Sequence, residues 1–124
     1  MKTGCAFSIR AALMSLLVLC LAPAQADEIG ATERAHIEAL IHSVETLPSA
    51  VFIRNGSEYE AAKAAKFLRK KWEAHADQVH SAQDFIEHIA SVSSTSGKPY
   101  LIRFSDGREL KSAEFFAAEL KKLK

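Results

Sequence analysis

The chain has 124 residues and is nearly neutral, with 16 basic residues, 15 acidic residues and a formal net charge of +1. Its length predicts one small domain. The balanced charge argues against a nucleic-acid-binding protein, which needs a surplus of basic residues on one face.

Residues 1–26 have the pattern of a secretory signal peptide. Lys2 and Arg10 precede an uncharged, mostly apolar run, AALMSLLVLCL, and small residues follow in AQA. This order of charge, apolar segment and small-residue cleavage site is typical of exported proteins. The apolar run has 11 residues, whereas a membrane-spanning helix needs roughly 20. We therefore expect cleavage between Ala26 and Asp27.

Cleavage would change the chemistry of the chain. Both cysteines, Cys5 and Cys20, would leave with the signal, so residues 27–124 would form a single small domain without thiol chemistry or disulfides. That mature chain carries 14 basic and 15 acidic residues, a net charge of −1. A lipoprotein acylated at Cys20 is the alternative, but Leu19 stands where such signals need a small residue. No later apolar run is long enough to span a membrane.

Hydrophobic periodicity predicts a first helix at about 32–47 that ends before Pro48. Its apolar stripe consists of Ile37, Leu40, Ile41, Val44 and Leu47. A second helix is predicted to begin at a capping box in Ser57–Glu60, where the serine hydroxyl and glutamate carboxylate would satisfy backbone N–H groups. Its stripe contains Ala61, Ala64, Ala65, Leu68, Trp72 and Ala76.

The rest of the chain predicts two more helices and a hairpin. A third helix, about 82–92, begins at Ser81 with Asp84 in the reciprocal capping position. The run YLIRF at 100–104 is typical of a strand, and SDGR supplies an Asp-Gly turn before a returning strand that begins with EL. Ser112 is predicted to cap the last helix. Its inward-facing residues would be Phe116, Leu120 and Leu123.

An isolated hairpin is only marginally stable, so we expect Val51–Arg54 to join it as a third strand. The predicted fold is α+β. About four helices pack on a small antiparallel sheet of two to three strands, after the signal peptide.

Two segments contain residues of the kind that can bind a metal ion or a phosphate. His80, Asp84 and His88 are spaced by four and would stack on one helix face, as zinc ligands can. However, His80 precedes the cap, and the HExxH motif is absent. The SGKP segment has proline where a phosphate-binding loop has serine or threonine, and a strand follows it. We therefore predict no metal site and no cofactor.

Two longer segments resemble a known family. FIRNGSEY and DFIEHIASVSSTSGKPYLIRFSDGRE are similar to the YfeK-like family of small exported bacterial proteins, a domain of unknown function. The resemblance covers roughly residues 32–120. It implies export to a Gram-negative periplasm and supplies no activity, cofactor or partner. Many members have a cysteine just before the first strand, where this chain has Ala50 and Val51, so a thiol role does not transfer.

Arg54 is charged at the end of an apolar run, and two interpretations of it remain open. In the structural one, Arg54 bonds carbonyls of the 93–97 loop while Tyr59 packs beneath the loop. In the functional one, a groove binds an anionic or peptide ligand, because arginine forks suit carboxylates and tyrosines supply rigid contact area. The candidate ligand-binding residues are Arg54, Tyr59, Lys71, Ser94, Ser96, Tyr100 and Arg103.

The sequence shows neither a GxSxG nucleophile elbow nor a marked carboxylate pair. We therefore expect a non-catalytic periplasmic binding or interaction module. Its partner would be a periplasmic protein, a peptide or a small anionic ligand, and not nucleic acid. The alternative is a small hydrolase-like enzyme built from Tyr59, the Ser93–Gly97 loop and a histidine. A serine of the loop would be the nucleophile, and the histidine would be the base that activates it.

Overall fold

The computed structural model describes residues 29–124, which form four helices and a four-stranded sheet. The helices are α1 (Ala31–Glu45), α2 (Ala61–Ala74), α3 (Ala82–Phe85) and α4 (Ser112–Leu123). A 3-10 turn, Ala76–Gln78, precedes α3, and a π-helical turn, Ile86–Ala90, continues it. The strands are β1 (Val51–Arg54), β2 (Ser57–Glu60), β3 (Leu101–Arg103) and β4 (Glu109–Lys111). The predicted signal peptide and its cleavage site lie outside the described residues.

The sheet is antiparallel throughout, with strand order β2-β1-β3-β4. β1 is a central strand, which confirms that Val51–Arg54 joins the hairpin. Phe52 lies opposite Tyr59 on one side and Ile102 on the other. Residues directly opposite each other on paired strands point to the same side of a sheet, so these three share the face that packs against the helices.

The sheet has one strand more than predicted, because Ser57–Glu60 is a strand and not a helix cap. Asn55 and Gly56 have φ values of 52° and 80°. Left-handed conformations at both positions make the two-residue turn whose twist suits a hairpin. The following four residues therefore pair along β1, which satisfies more backbone groups than a capping box would. α2 begins only at Ala61 and has no side-chain cap.

The core lies between the helices and the inner face of the sheet. The α1 stripe is confirmed: Ile37, Leu40 and Ile41 are fully buried, and Leu47 packs partly against the core beyond the helix end. At the other terminus the prediction for Leu123 is wrong, since this side chain is 39% exposed in the last turn of α4. Phe115 is buried there instead, beside Phe116.

The two predicted serine caps have different outcomes. Ser81 accepts a hydrogen bond from Asp84 N at 3.0 Å, and the Asp84 carboxylate accepts one from His80 N at 2.9 Å. Ser112 does not cap α4. It is the first residue of the helix, and its buried hydroxyl makes no hydrogen bond with the described residues. Its backbone N–H donates to Tyr100 O at 2.9 Å and ties α4 to the start of β3.

Within residues 29–124, the helices are all too short or too polar to cross a membrane.

Candidate ligand-binding groove

A groove with an aromatic floor and basic walls lies between α2 and the inner face of β1 and β2. It consists of two adjoining cavities of about 270 Å³ each. The first is lined by Phe52, Arg54, Tyr59, Lys63, Ala64, Lys66, Phe67 and Lys70. The second is lined by Arg54, Phe67, Lys70, Lys71, Ser93, Ser94, Thr95 and Tyr100. We call the two together the basic groove.

Strand and helix periodicity place these side chains on facing surfaces. Phe52 and Arg54 lie two apart on β1 and share its inner face, and Tyr59 lies opposite Phe52 on β2. On α2, the basic and aromatic lining residues recur at spacings of three and four, so they occupy one side of the helix. They are Lys63, Lys66, Phe67, Lys70 and Lys71.

A chain of aromatic contacts forms the floor. The Arg54 guanidinium lies 4.4 Å from the centre of the Phe67 ring. Phe67 meets Tyr100 edge to face at 5.8 Å, and Tyr100 lies 5.2 Å from Phe52. Arg54 makes no side-chain hydrogen bond or ion pair with any residue in 29–124, so this stacking is what positions its charge. The cation–π contact leaves the guanidinium N–H groups available to a ligand.

The structural interpretation gave Arg54 bonds to the 93–97 loop, but it is Lys71 that contacts the chain, at the residue just before that loop. Its Nζ donates to Val92 O at 2.9 Å and to the Tyr100 hydroxyl at 3.0 Å. Burial lowers the pKa of Lys71, and the nearby Arg54 charge lowers it further. Burial raises the pKa of Tyr100, and Arg54 opposes that shift. Through these two hydrogen bonds, Lys71 and Tyr100 form a buried strut between α2 and the chain that enters the 93–97 loop.

Asn55 connects the β1–β2 turn to the same loop. Its Nδ2 donates to the Ser93 hydroxyl at 3.1 Å, and the Ser96 hydroxyl donates to its Oδ1. Ser93 is buried, and its oxygen also accepts from the backbone N–H of Thr95 at 3.3 Å. These bonds hold the loop as one wall of the groove. Ser94 lies in that wall, exposed, whereas Ser96 is used by the contact with Asn55.

Arg103 lies on the opposite face of the sheet from Arg54. Ile102 faces inward, so the next side chain on β3 faces outward. There Arg103 pairs with Glu58, and its Nη1 lies 3.9 Å from Glu109 Oε1. The structure therefore brings Arg54, Tyr59, Lys71, Ser94 and Tyr100 to the groove, holds Ser96 against Asn55 behind its wall, and separates Arg103 from them.

Several groove residues were missed by the sequence analysis. Lys63, Lys66, Lys70 and Phe67 lie outside the apolar stripe predicted for the second helix and were not among the candidate residues. A solvated lysine face and a ligand-binding lysine face have the same periodicity, so the pattern carries no signal to separate them. For Asn55, an Asn-Gly pair is typical of a tight turn, but it gives no sign of the loop contact.

The electrostatics of the groove are one-sided. Of its lining residues within 29–124, five are basic and none is acidic. Within the described part of the chain, Lys63, Lys66 and Lys70 form no ion pair. An anion entering the groove would therefore meet uncompensated positive charge above a largely apolar floor.

The described histidines make no hydrogen bond with the serine loop. In the described residues, no histidine is hydrogen-bonded to a serine or tyrosine hydroxyl, and His36 pairs with Glu33 at 3.2 Å. Asp84, Glu87 and His88 place potential metal-ligand atoms within 4.8 Å of one another. Their carboxylates already accept hydrogen bonds from His80 N and the Gln83 amide. His80, the third member of the histidine ladder considered above, is not in this cluster.

Comparison with known proteins gives a family but no activity. Residues 31–124 match the model of a family described as "Family of unknown function (DUF5329)". The chain is 34% identical over 83 residues to the uncharacterized protein YfeK of Salmonella typhimurium strain LT2, across 67% of this chain and 68% of that protein. No solved structure matches significantly.

Proposed function

The chain belongs to a family of unknown function, DUF5329, and from that premise we propose that it is an exported, non-catalytic binding module. Its basic groove takes an anionic ligand that also carries an apolar or aromatic part. The observation that carries this proposal is the group of five basic side chains over an aromatic floor, with no acidic residue from the described part of the chain lining the groove.

Clustered cations favour an anion for two reasons. Like charges held close together repel one another, and an anion relieves that repulsion. Hydrogen bonds to charged groups are worth about 1.5–3 kcal/mol, more than neutral ones. Arg54 adds a planar fork that suits a carboxylate, sulfonate or phosphate. Phe52, Phe67 and Tyr59 give an apolar ligand group a surface to cover.

The hydrolase-like alternative has less support. The hydroxyl of Ser93 is occupied by Asn55 and by backbone N–H groups of its own loop. Ser96 donates to Asn55. Ser94 lies in the groove wall, but no histidine among residues 29–124 is hydrogen-bonded to it. A nucleophilic serine needs an adjacent base, so the loop is better suited to shaping the groove.

A titration with naphthalene-2-sulfonate tests the proposal, because this probe joins an anion to an aromatic ring. We expect it to shift the NMR resonances of Phe52 and Phe67, and the neutral naphthalene-2-sulfonamide to bind more weakly. Arg54→Gln should weaken sulfonate binding. Lys121→Gln combined with Lys124→Gln, which removes two charges outside the groove, should leave it unchanged. Equal binding of the two probes would contradict the proposal.

Export rests on the pattern of residues 1–26 and on the family resemblance. N-terminal sequencing of the protein recovered from a cell that expresses the whole chain should begin at Asp27. A soluble cytoplasmic product that keeps Met1 would contradict export without affecting the groove.

A further inference from the structure

We propose that the natural occupant of the basic groove is an extended acidic peptide segment of a partner protein, with one apolar side chain between its carboxylates. This inference rests on the proposed anion-binding function and names the partner class. Three features of the groove lead to it: its shape, the spacing of its charges and its apolar wall.

The shape favours a chain segment over a free small molecule. Sites for drug-sized ligands bury most of the ligand. Each cavity here holds about 270 Å³ and is open to solvent on one side. The two share Arg54, Phe67 and Lys70, so they form one continuous, shallow groove. A small ligand would stay largely exposed in either cavity, whereas a peptide can place successive side chains along both.

The charges recur at a spacing that an extended peptide matches. At 1.5 Å per residue, Lys66 and Lys70 are displaced by about 6 Å along the α2 axis, and Lys63 and Lys70 by about 10 Å. Alternate side chains of an extended peptide point the same way and repeat at about 6.6 Å. Carboxylates two residues apart can therefore reach successive lysines. Recognition of acidic motifs by clustered basic side chains is an established mode of peptide binding.

The apolar wall accounts for the side chain between the carboxylates. Phe52 and Tyr59 line the first cavity from the sheet, across from the α2 lysines, and Ala64 and Phe67 complete its apolar lining. In an extended peptide, the side chain between two lysine-directed carboxylates points the opposite way, towards the sheet. An apolar side chain of the peptide would be buried from water against this surface, whereas an inorganic polyanion has no group to place there. At the junction of the cavities, the guanidinium of Arg54 is held over Phe67 and can receive a carboxylate on its fork.

Binding of short synthetic peptides tests the inference. The probes are unlabelled EEFEE, EESEE and QQFQQ with acetylated N-termini and amidated C-termini, measured by isothermal titration calorimetry against the purified protein. We expect EEFEE to bind most tightly, because only this peptide supplies both carboxylates and an apolar anchor. Lys66→Gln combined with Lys70→Gln should weaken EEFEE binding by about tenfold, as expected for the loss of two exposed charge pairs. The Lys121→Gln and Lys124→Gln pair is the matched control and should bind normally.

Other results would overturn the inference in distinguishable ways. Equal binding of EEFEE and EESEE would show that the apolar wall is not used. Equal binding of EEFEE and QQFQQ would show that the charges are not used. A preference for inorganic polyphosphate or for vesicles of anionic phospholipid would replace the peptide with another anion. Binding of naphthalene-2-sulfonate without EEFEE would reject the peptide and leave the proposed function intact, and binding of neither would reject both.

Discussion

At the scale of the residue, Arg54 carries a charge at the end of an apolar strand, and within residues 29–124 its side chain is held by stacking on Phe67 without a hydrogen bond or ion pair. Its guanidinium lies over Phe67, while Lys71 makes the bond to the carbonyl of Val92. The structural interpretation gave Arg54 bonds to carbonyls of the 93–97 loop, whereas Lys71 of α2 bonds the carbonyl of the residue before that loop. Arg54 is a groove residue whose removal should affect binding more than folding.

Arg54→Ala should lower the free energy of unfolding by about 0.5–2 kcal/mol, the range between an exposed and a desolvated cation–π contact, because Arg54 is half-buried. For a domain of this size that is a fall in Tm of several degrees, at roughly 4–8 °C per kcal/mol. Thermal unfolding followed by circular dichroism measures it. Arg34→Ala is the matched control, since Arg34 stacks 5.4 Å from the Trp72 ring outside the groove. A loss above about 3 kcal/mol at Arg54 would restore the structural interpretation.

Asn55 serves two purposes, because it forms the left-handed turn and also bonds Ser93. A double-mutant cycle separates them. Asn55→Gly keeps the turn conformation and removes the side chain, and Ser93→Ala removes the acceptor. Because the two share a hydrogen bond, the double variant should lose less stability than the sum of the single losses, by about 0.5–1.5 kcal/mol. Additive losses in urea unfolding would mean that the bond contributes nothing.

At the scale of the element, α2 has three faces with separate tasks. Ala64, Ala65 and Leu68 are buried against the core. Lys63, Lys66 and Lys70 line the groove. Lys71 lies between these two faces; it is buried, and it donates hydrogen bonds to Val92 O and to the Tyr100 hydroxyl. The position of this one helix therefore sets the width of the groove and anchors the loop that forms its far wall.

The Lys71–Tyr100 strut should give stability a pH dependence in the alkaline range. The lowered pKa of Lys71 means that the folded chain binds fewer protons than the unfolded chain below 10.5, so this contribution makes stability rise with pH up to 10.5. The raised pKa of Tyr100 means that the folded chain binds more protons above 10.0, so this second contribution makes stability fall there.

Tyr100→Phe isolates the lysine contribution. We expect this variant to gain stability, relative to Tyr100→Phe combined with Lys71→Met, as the pH rises towards 10.5. Urea unfolding at a series of pH values measures the difference between the two variants. A difference that stays constant or shrinks with pH would mean that Lys71 keeps its ordinary pKa in the fold.

At the scale of the whole molecule, a cluster of aromatic rings joins the helices behind the groove. Phe85 meets Trp72 of α2 at 5.9 Å and Phe116 of α4 at 6.1 Å, both edge to face. It is fully buried, as is Phe116. α3 is short, so its place in the fold depends on this packing more than on its own backbone hydrogen bonds.

Phe85→Ala should cost about 3–5 kcal/mol, because it leaves a cavity where α2, α3 and α4 meet. That is a large share of the roughly 5–15 kcal/mol that stabilises a typical domain. Leu123→Ala is the control and should change stability by less than about 0.5 kcal/mol, since this side chain is 39% exposed. Chemical denaturation of both variants checks the pair. A comparable loss at the two positions would contradict the assignment of the core.

Local signals were sufficient for much of the architecture. The α1 stripe ends at a proline, Ser81 caps α3, and the Asp-Gly turn separates β3 from β4; each depends on residues within a few positions of one another. The α+β class and the place of Val51–Arg54 in the sheet followed from these elements and from the instability of an isolated hairpin. Membership of the family was also readable from motifs along the chain. Export stays a prediction from residues 1–26.

Tertiary pairing decided what the local pattern left ambiguous. Ser57–Glu60 satisfies a capping-box pattern, but the Asn55-Gly56 turn brings it back along β1, and pairing along four residues overrides the cap. Register then places Arg54 on the inner face and Arg103 on the outer face, although both follow apolar runs. Three lysines on the exposed side of α2 became groove residues only because the sheet places Arg54 and Tyr59 beside them. Contacts between residues distant in the chain carry no periodicity of their own, so the groove could be recognised only in the folded molecule.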